Sequence, residues 1–250
     1  MTLPASFLTK PIAHRGLHDA SQGRAENSPK AFAAALEHGY GIELDLQLSK
    51  DGQPMVFHDY DLERLTGTRG PIAQKTAAEL AKITLLHDGD GVPTLADTLA
   101  QIAGRVPILI EVKDQDGQMG PDVGRLERAA AALLEDYTGD YAVMSFNPHS
   151  VGIFKDVLPN APRGLVTCDY TADDWPTLPA SVREHLRHIP DYETLDCCFI
   201  SHDRTDLDRD RVAQIKAKGH PILTWTIKSA EQEAEARKIV ANITFEGYMA

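Results

Sequence analysis

The chain has 250 residues, of which 42% are hydrophobic and 25% are charged, and its formal net charge at pH 7 is −12. These proportions are ordinary for a globular protein, and this length suits one large domain or two small ones. The negative balance argues against nucleic acid or an anionic membrane surface as the main partner, because both attract basic patches. The sequence has no run of about 18 apolar residues and no signal-peptide pattern at its start. We therefore expect no stable membrane insertion and a cytoplasmic location.

Eight apolar, strand-like runs alternate with amphipathic segments along the chain. The runs lie near residues 11–14, 40–46, 107–112, 141–145, 163–168, 197–200, 221–226 and 242–245. Strands that alternate with helices indicate a parallel sheet that is covered on its faces. Eight repeats favour a (β/α)8 TIM barrel, formed as a single domain over residues 1–250, over a doubly wound sheet.

Helix signals and loop lengths refine this prediction. Ser28 is a candidate N-cap followed by Pro29 at the first helical position, and Pro121 is predicted to open another helix. The stretch 47–93 is too long for one loop between a strand and its helix. We interpret it as a small insertion after strand 2 that sits over the barrel mouth, where the sites of such barrels lie.

Three acidic residues are predicted to converge at this mouth. Side chains alternate across a strand, so Glu43 and Asp45 share one face, and Glu111 takes the same face of the neighbouring strand. Two like charges about 4 Å apart repel by about 4 kcal/mol at an effective dielectric of 20. A metal would relieve this repulsion, and oxygen ligands suit Mg²⁺ or Ca²⁺, with Mn²⁺ as a further candidate. Alternatively, Arg15 and Lys113 pair with these acids in a structural network.

Two histidines end strand-like runs on the same side of the predicted barrel. His14 follows the first run, and His58 follows the apolar residues 55–57. Histidine is the usual general acid or base near neutral pH, so one ring could deprotonate a nucleophile while the other protonates the departing alkoxide. Arg15 and Lys113 would then hold phosphoryl oxygens. This combination is the chemistry of a metal-assisted attack on a phosphate ester.

The order and spacing of these motifs resemble the glycerophosphodiester phosphodiesterase family, from His14 to the strand around Trp225. The resemblance implies a TIM barrel with a small insertion after strand 2. It also implies metal-dependent hydrolysis of a small-molecule glycerophosphodiester to glycerol 3-phosphate and an alcohol. The matching positions imply catalytic roles for His14 and His58, phosphate contacts for Arg15 and Lys113, metal ligands at Glu43, Asp45 and Glu111, and substrate or supporting roles for Glu26, Asn27 and Trp225.

The last part of the chain departs from the family pattern. Lys228 stands where a polar amide is frequent, and residues 243–247, which contain Glu246, replace the usual aspartate segment. Trp225 either packs against the glycerol of the substrate or is a buried barrel tryptophan. These departures leave the predicted metal and histidine residues unchanged.

Two alternative functions remain open at the level of sequence. One is a phospholipase D-like or phosphoinositide-type phosphodiesterase on a similar barrel, and the other is a non-catalytic metabolite-binding barrel. The chain shows no apolar stripe or basic patch for a bilayer, which favours soluble substrates. An intact acid–base pair favours an enzyme, because binding alone requires none. The sequence predicts neither the head group, the preferred metal nor the oligomeric state.

Overall fold

The computed structural model describes residues 1–250 and contains a closed barrel of eight parallel strands. The chain has nine strands, of which all but the antiparallel β3 form the barrel: β1 (Ile12–Ala13), β2 (Gly41–Leu48), β3 (Pro54–Val56), β4 (Ile108–Val112), β5 (Tyr141–Ser145), β6 (Arg163–Thr167), β7 (Phe199–Asp203), β8 (Ile222–Ile227) and β9 (Asn242–Phe245). Their order is β1-β9-β8-β7-β6-β5-β4-β2, and β1 also pairs with β2, which closes the ring. The closure confirms the predicted TIM barrel and excludes the doubly wound sheet.

Helices follow the strands and form the outer layer of the barrel. They are α1 (Pro29–His38), α2 (Glu63–Thr66), α3 (Ala77–Leu80), α4 (Leu95–Ile102), α5 (Arg125–Leu134), α6 (Pro148–Val157), α7 (Ala180–Arg187), α8 (Asp191–Thr194), α9 (Asp210–Ala217) and α10 (Ala230–Ala236). The longest has ten residues, and none has both the length and the apolar character needed to cross a bilayer.

Two layers of apolar side chains stabilise the barrel. On β2, Leu44 and Leu46 face outward and pack into the large cluster between the strands and the helices. Ile12, Leu109 and Phe199 face inward and belong to a separate cluster that fills the barrel interior. The interior is packed at this level, as in other barrels of this kind, and the polar residues of the site lie nearer the carboxyl ends of the strands.

Capping side chains define the starts of two helices. The hydroxyl of Ser28 accepts a hydrogen bond from the backbone N–H of Ala31, and Gly39 ends α1 in the left-handed conformation with φ of 67°. Thr76 and Glu79 form a reciprocal capping box at the start of α3. Each cap satisfies N–H groups that the first helical turn leaves unpaired.

The prediction that Pro121 opens a helix is wrong, because α5 begins four residues later at Arg125. The carboxylate of Asp116 accepts backbone hydrogen bonds from the loop that follows β4, which holds this stretch in a non-helical conformation. Gly124 has φ of 118° and donates its N–H to Glu127, which satisfies the helix start at this later position. Side-chain bonds to the loop backbone therefore outweigh the proline signal.

The segment between β2 and α4 forms a small unit with its own apolar cluster. Its strand β3 is antiparallel to β2, and its cluster includes Phe57, Leu62 and Leu80. Tyr60 reaches from this unit to the loop after β4, where its hydroxyl donates a 2.7 Å hydrogen bond to the carbonyl oxygen of Asp114. These contacts favour the division into one domain with an insertion at 47–93, which stays a prediction.

Candidate active site

A tight turn after β1 brings His14 and Arg15 to the barrel mouth. Arg15 and Gly16 have φ of 54° and 76°, so the chain reverses within two residues. A Cβ atom on Gly16 would lie 2.9 Å from the backbone of Ala31, so glycine is required where α1 approaches the turn. The backbone N–H of Arg15 then donates a 2.9 Å hydrogen bond to Oε2 of Glu43. The turn therefore couples the first strand to the acidic cluster on the second.

Three buried carboxylates meet where the middle of β2 lies beside the end of β4. Glu43, Asp45 and Glu111 have exposures of 2%, 1% and 7%, and one oxygen from each lies within 4.8 Å of the others. The register pairs Asp45 directly with Glu111. Lys113 places Nζ 2.7 Å from Oδ1 of Asp45 and also donates to Glu111. The alternation of side chains along these two strands is what brings the four groups together.

Burial and neighbouring charge set the protonation of this cluster. Burial, reinforced by the negative charge of Asp45, raises the pKa of Glu43 well above its ordinary value. Burial alone would also raise the pKa of Asp45, but the cations of Lys113 and Arg15 outweigh it and lower that pKa. Because these two shifts are opposite, Glu43 binds a proton more readily than Asp45 does.

The donor set fits a hard divalent cation. It consists only of carboxylate oxygens, which are the ligands that Mg²⁺ and Ca²⁺ prefer. Oδ1 of Asp45 lies 2.7 Å from Nζ of Lys113, so this oxygen is already paired with a cation. Burial and the neighbouring carboxylates raise the pKa of Glu43, and a cation at this position would stabilise its ionised form.

His14 is held by a carboxylate at the end of the last strand. Its Nδ1 lies 2.6 Å from Oε2 of Glu246, whose Oε1 lies 2.8 Å from Nζ of Lys228. Hydrogen bonds from His14 and His18 lower the pKa of Glu246, so its carboxylate is ionised and can only accept. The proton must therefore reside on Nδ1 of His14, which leaves a lone pair on Nε2, 3.9 Å from Glu43.

His58 is held in the same way by its neighbour in the sequence. Its Nδ1 lies 2.6 Å from Oδ1 of Asp59. Arg64 forms two hydrogen bonds to Asp59, and these charged partners lower the pKa of that carboxyl. Arg64 also binds Glu26 twice, and Glu26 in turn accepts a 2.7 Å bond from Arg15. A chain of alternating charges thus connects His58 to the turn after β1.

The two residues of the Glu26–Asn27 pair contact different parts of the site. Glu26 orients the guanidinium of Arg15, as described above. The amide of Asn27 donates a 2.9 Å hydrogen bond to Oδ2 of Asp45 and accepts the backbone N–H of the same residue. Both residues therefore support groups of the site from behind rather than lining its cavity.

A small cavity of about 100 Å³ opens between these groups. Trp225 lines it, donates its indole N–H to the carbonyl oxygen of Ser201 over 3.1 Å and packs edge-on against Phe146. Trp225 is thus partly buried and forms part of the cavity wall, and its contact with the glycerol of the substrate stays a prediction. The cavity is lined by His14, Arg15, Glu43, His58, Glu111, Lys113, Met144, Phe146, Val166, Ser201, Trp225, Thr226 and Thr244.

Several residues of the site had no predicted role. Glu246 follows the last strand, and its place next to β1 in a closed barrel is a signal that sequence reasoning could have used. Asp59 directly follows His58, which is a weaker local signal. Arg64 offered none, because its side chain reaches Glu26 only through the folding of the segment after β2.

Comparisons with known proteins give a consistent result. The family model described as the Glycerophosphoryl diester phosphodiesterase family matches residues 14–243. The protein YhdW of Bacillus subtilis (strain 168) is 29% identical over 233 residues, which cover 90% of this chain and 88% of YhdW. A glycerophosphodiester phosphodiesterase of Bacillus altitudinis is 30% identical over 172 residues, 65% of this chain and 68% of that protein. The structure of an Oleispira antarctica phosphodiesterase in complex with its product sn-glycerol-3-phosphate has a TM-score of 0.78 and 25% identity, and covers 96% of this chain and 94% of that one.

Proposed function

Because the chain belongs to the glycerophosphoryl diester phosphodiesterase family, we propose that it hydrolyses glycerophosphodiesters to glycerol 3-phosphate and an alcohol by metal-dependent, two-histidine catalysis. Its activity as a glycerophosphodiester phosphodiesterase follows from the family and from its relatives, which confirms the resemblance seen in the sequence. The observation that carries the finer proposal is geometric. Two histidines, each bound to a carboxylate through Nδ1, line the same cavity as the acidic cluster.

Glu43, Asp45 and Glu111 would hold the cation, for which Mg²⁺ and Ca²⁺ fit best and Mn²⁺ is a further candidate. When bound, such an ion stabilises negative charge on the phosphoryl group as a Lewis acid. Arg15 and Lys113 both line the cavity and offer N–H donors to the remaining phosphoryl oxygens. Their present pairing with Asp45 holds both cations beside the acidic cluster, where the phosphate would bind.

We assign the role of general base to His14. Burial lowers its pKa, so the ring is neutral near pH 7, and Glu246 fixes the proton on Nδ1. The lone pair on Nε2 is then available to take a proton from the nucleophile.

We assign the role of general acid to His58. Its side chain is 32% exposed and lies at the rim of the cavity, where the departing alcohol can leave. Asp59 holds the ring in place through its 2.6 Å contact with Nδ1. Donation of a proton from this ring to the departing alkoxide would complete the cleavage of the ester bond.

The structure offers less support for the two alternative functions. A lipase that acts on a bilayer needs a continuous apolar surface around its mouth. The large exposed apolar side chains are few and far apart in the sequence, and one of them, Tyr60, hydrogen-bonds to the loop after β4. A binding barrel would need neither the acid–base pair nor its ionised partners. The bound glycerol phosphate in the Oleispira protein supports a small-molecule substrate here as well.

The test is the release of glycerol 3-phosphate from a panel of glycerophosphodiesters, with and without divalent metal. Chelation should abolish activity, and Mg²⁺, Ca²⁺ or Mn²⁺ should restore it. Glu43→Gln should weaken metal affinity without loss of fold, whereas Glu235→Gln, at an exposed carboxylate that is distant in the chain, serves as the matched control. Full activity of the metal-free protein would contradict the metal assignment, and inactivity on every diester would contradict the substrate class.

A further inference from the structure

Two buried hydroxyl groups that line the cavity lack hydrogen-bond partners. Ser201 and Thr244 are each 1% exposed, and both line the cavity. Neither Oγ of Ser201 nor Oγ1 of Thr244 forms a hydrogen bond. Buried polar groups are nearly always paired, because an unmade hydrogen bond costs the full desolvation of the group. Two such groups in one cavity indicate a polar ligand.

The strand register places both hydroxyls at the inner end of the cavity. Thr244 pairs with Ile12, which is two residues before His14. Ser201 pairs with Leu223, which is two residues before Trp225. Parallel strands run toward the mouth, and alternate residues face the same side. Each hydroxyl therefore lies one side-chain layer deeper than His14 and Trp225.

Two buried hydroxyls that face away from the cavity on other strands are satisfied. Thr224 donates a 2.7 Å hydrogen bond to the carbonyl oxygen of His202, and Ser145 donates one of the same length to Val112. The missing partners are thus a feature of the cavity rather than of the strands in general. Thr224, which is fully buried on the strand next to Thr244 and faces the other way, offers a matched control.

We propose that Ser201 and Thr244 bind the glycerol hydroxyl that lies farthest from the phosphate. This inference rests on the proposed function, in which the phosphate binds beside Arg15, Lys113 and the carboxylates. The cavity of about 100 Å³ is far smaller than the about 300–1,000 Å³ of drug-sized ligand sites. Its inner end, where the two hydroxyls lie, suits the constant glycerol part of the substrate, and the variable head group takes the side toward the mouth. The two hydroxyls would make the enzyme specific for glycerol over smaller or less polar diols.

The experiment compares kcat/KM for a glycerophosphodiester with that for its propane-1,2-diol analogue. The analogue lacks only the terminal hydroxyl and keeps the one next to the phosphorylated carbon. Hydrogen bonds between neutral groups change binding by about 2- to 13-fold each, so we expect the wild type to prefer glycerol by about tenfold. In Ser201→Ala/Thr244→Val this preference should fall toward one, whereas Thr224→Val should keep it. A double variant with the wild-type preference would overturn the proposal.

A second measurement needs no variant. Glycerol 3-phosphate should inhibit the wild-type enzyme about tenfold better than propane-1,2-diol phosphate, and equal inhibition would overturn the proposal even if the double variant fails to fold. The same assays distinguish failure of the proposed function from failure of the glycerol-binding role. A wild type that cleaves no glycerophosphodiester contradicts the proposed function, whereas an active wild type without preference for glycerol contradicts only the role of Ser201 and Thr244.

Discussion

Replacing Glu246 with glutamine should impair catalysis through His14 rather than through the substrate. One carboxylate oxygen of Glu246 accepts from Nδ1 of His14, and the other lies 2.8 Å from the ammonium of Lys228. An ammonium can only donate, so in Glu246→Gln it selects the amide oxygen and turns the NH₂ group toward His14. The ring must then accept at Nδ1 and carry its proton on Nε2. The base that faces the cavity is lost, although the fold is intact.

The size of the effect follows from this route. A positioned acid or base contributes about 10²- to 10⁴-fold, which corresponds to about 2.7 to 5.4 kcal/mol in the barrier, and the loss in Glu246→Gln should fall in this range. Glu246 does not line the cavity, so KM should change little. Because Glu246 contacts the cavity-lining residues through His14, adding Glu246→Gln to His14→Ala should cost little further, as for residues that act as a unit.

A third variant isolates the orientation of the amide. In Glu246→Gln/Lys228→Met the ammonium is gone, so the amide oxygen is free to accept from His14, and kcat should rise above that of Glu246→Gln. Steady-state release of glycerol 3-phosphate gives kcat and KM, and thermal melting by circular dichroism checks the fold, with Lys228→Met alone as the reference. A Glu246→Gln enzyme with the wild-type kcat, or a loss additive with that of His14→Ala, would refute the reasoning.

Two further predictions concern the acid and the nucleophile. His58→Ala should lower kcat by at least about 10²-fold with little change in melting temperature, because the ring is a third exposed; a destabilised but fast variant would favour a structural role. If the substrate's own hydroxyl, next to the phosphorylated carbon, is the first nucleophile, the intramolecular attack avoids part of the entropy cost. An analogue without that hydroxyl should then react very slowly, and a cyclic glycerol phosphate should be made or consumed. Near-normal turnover of this analogue would instead support direct attack by water.

The barrel and its acidic cluster were predictable because both depend on short-range periodicity. Side chains alternate with a period of two residues along a strand, so Glu43 and Asp45 lie on one face of β2 regardless of the tertiary structure. The same rule places Glu111 beside them once β2 and β4 are neighbours, and the alternation of strands and helices makes them so. The prediction needed only local pattern and one assumption about topology.

The supporting groups were not predictable because they depend on distances between elements far apart in the chain. Glu246 and His14 are 232 residues apart and meet only because the barrel closes. Ser201 and Thr244 differ from Thr224 only in the side of the strand that they occupy and in the lack of a partner. The sequence identifies residue type and face, whereas the satisfaction of a hydrogen bond is a property of the folded structure.

The charge balance of the site explains how a chain with net charge −12 can accept an anionic substrate. Three carboxylates lie beside the two cations Arg15 and Lys113, and Glu26 also pairs with Arg15. Burial and the negative charges of Asp45 and Glu111 raise the pKa of Glu43. A phosphodiester would add one more negative charge to this group. A divalent cation held by the three carboxylates, as proposed above, would offset these charges and favour the ionised form of Glu43. The raised pKa of Glu43 therefore agrees with the proposed cation site.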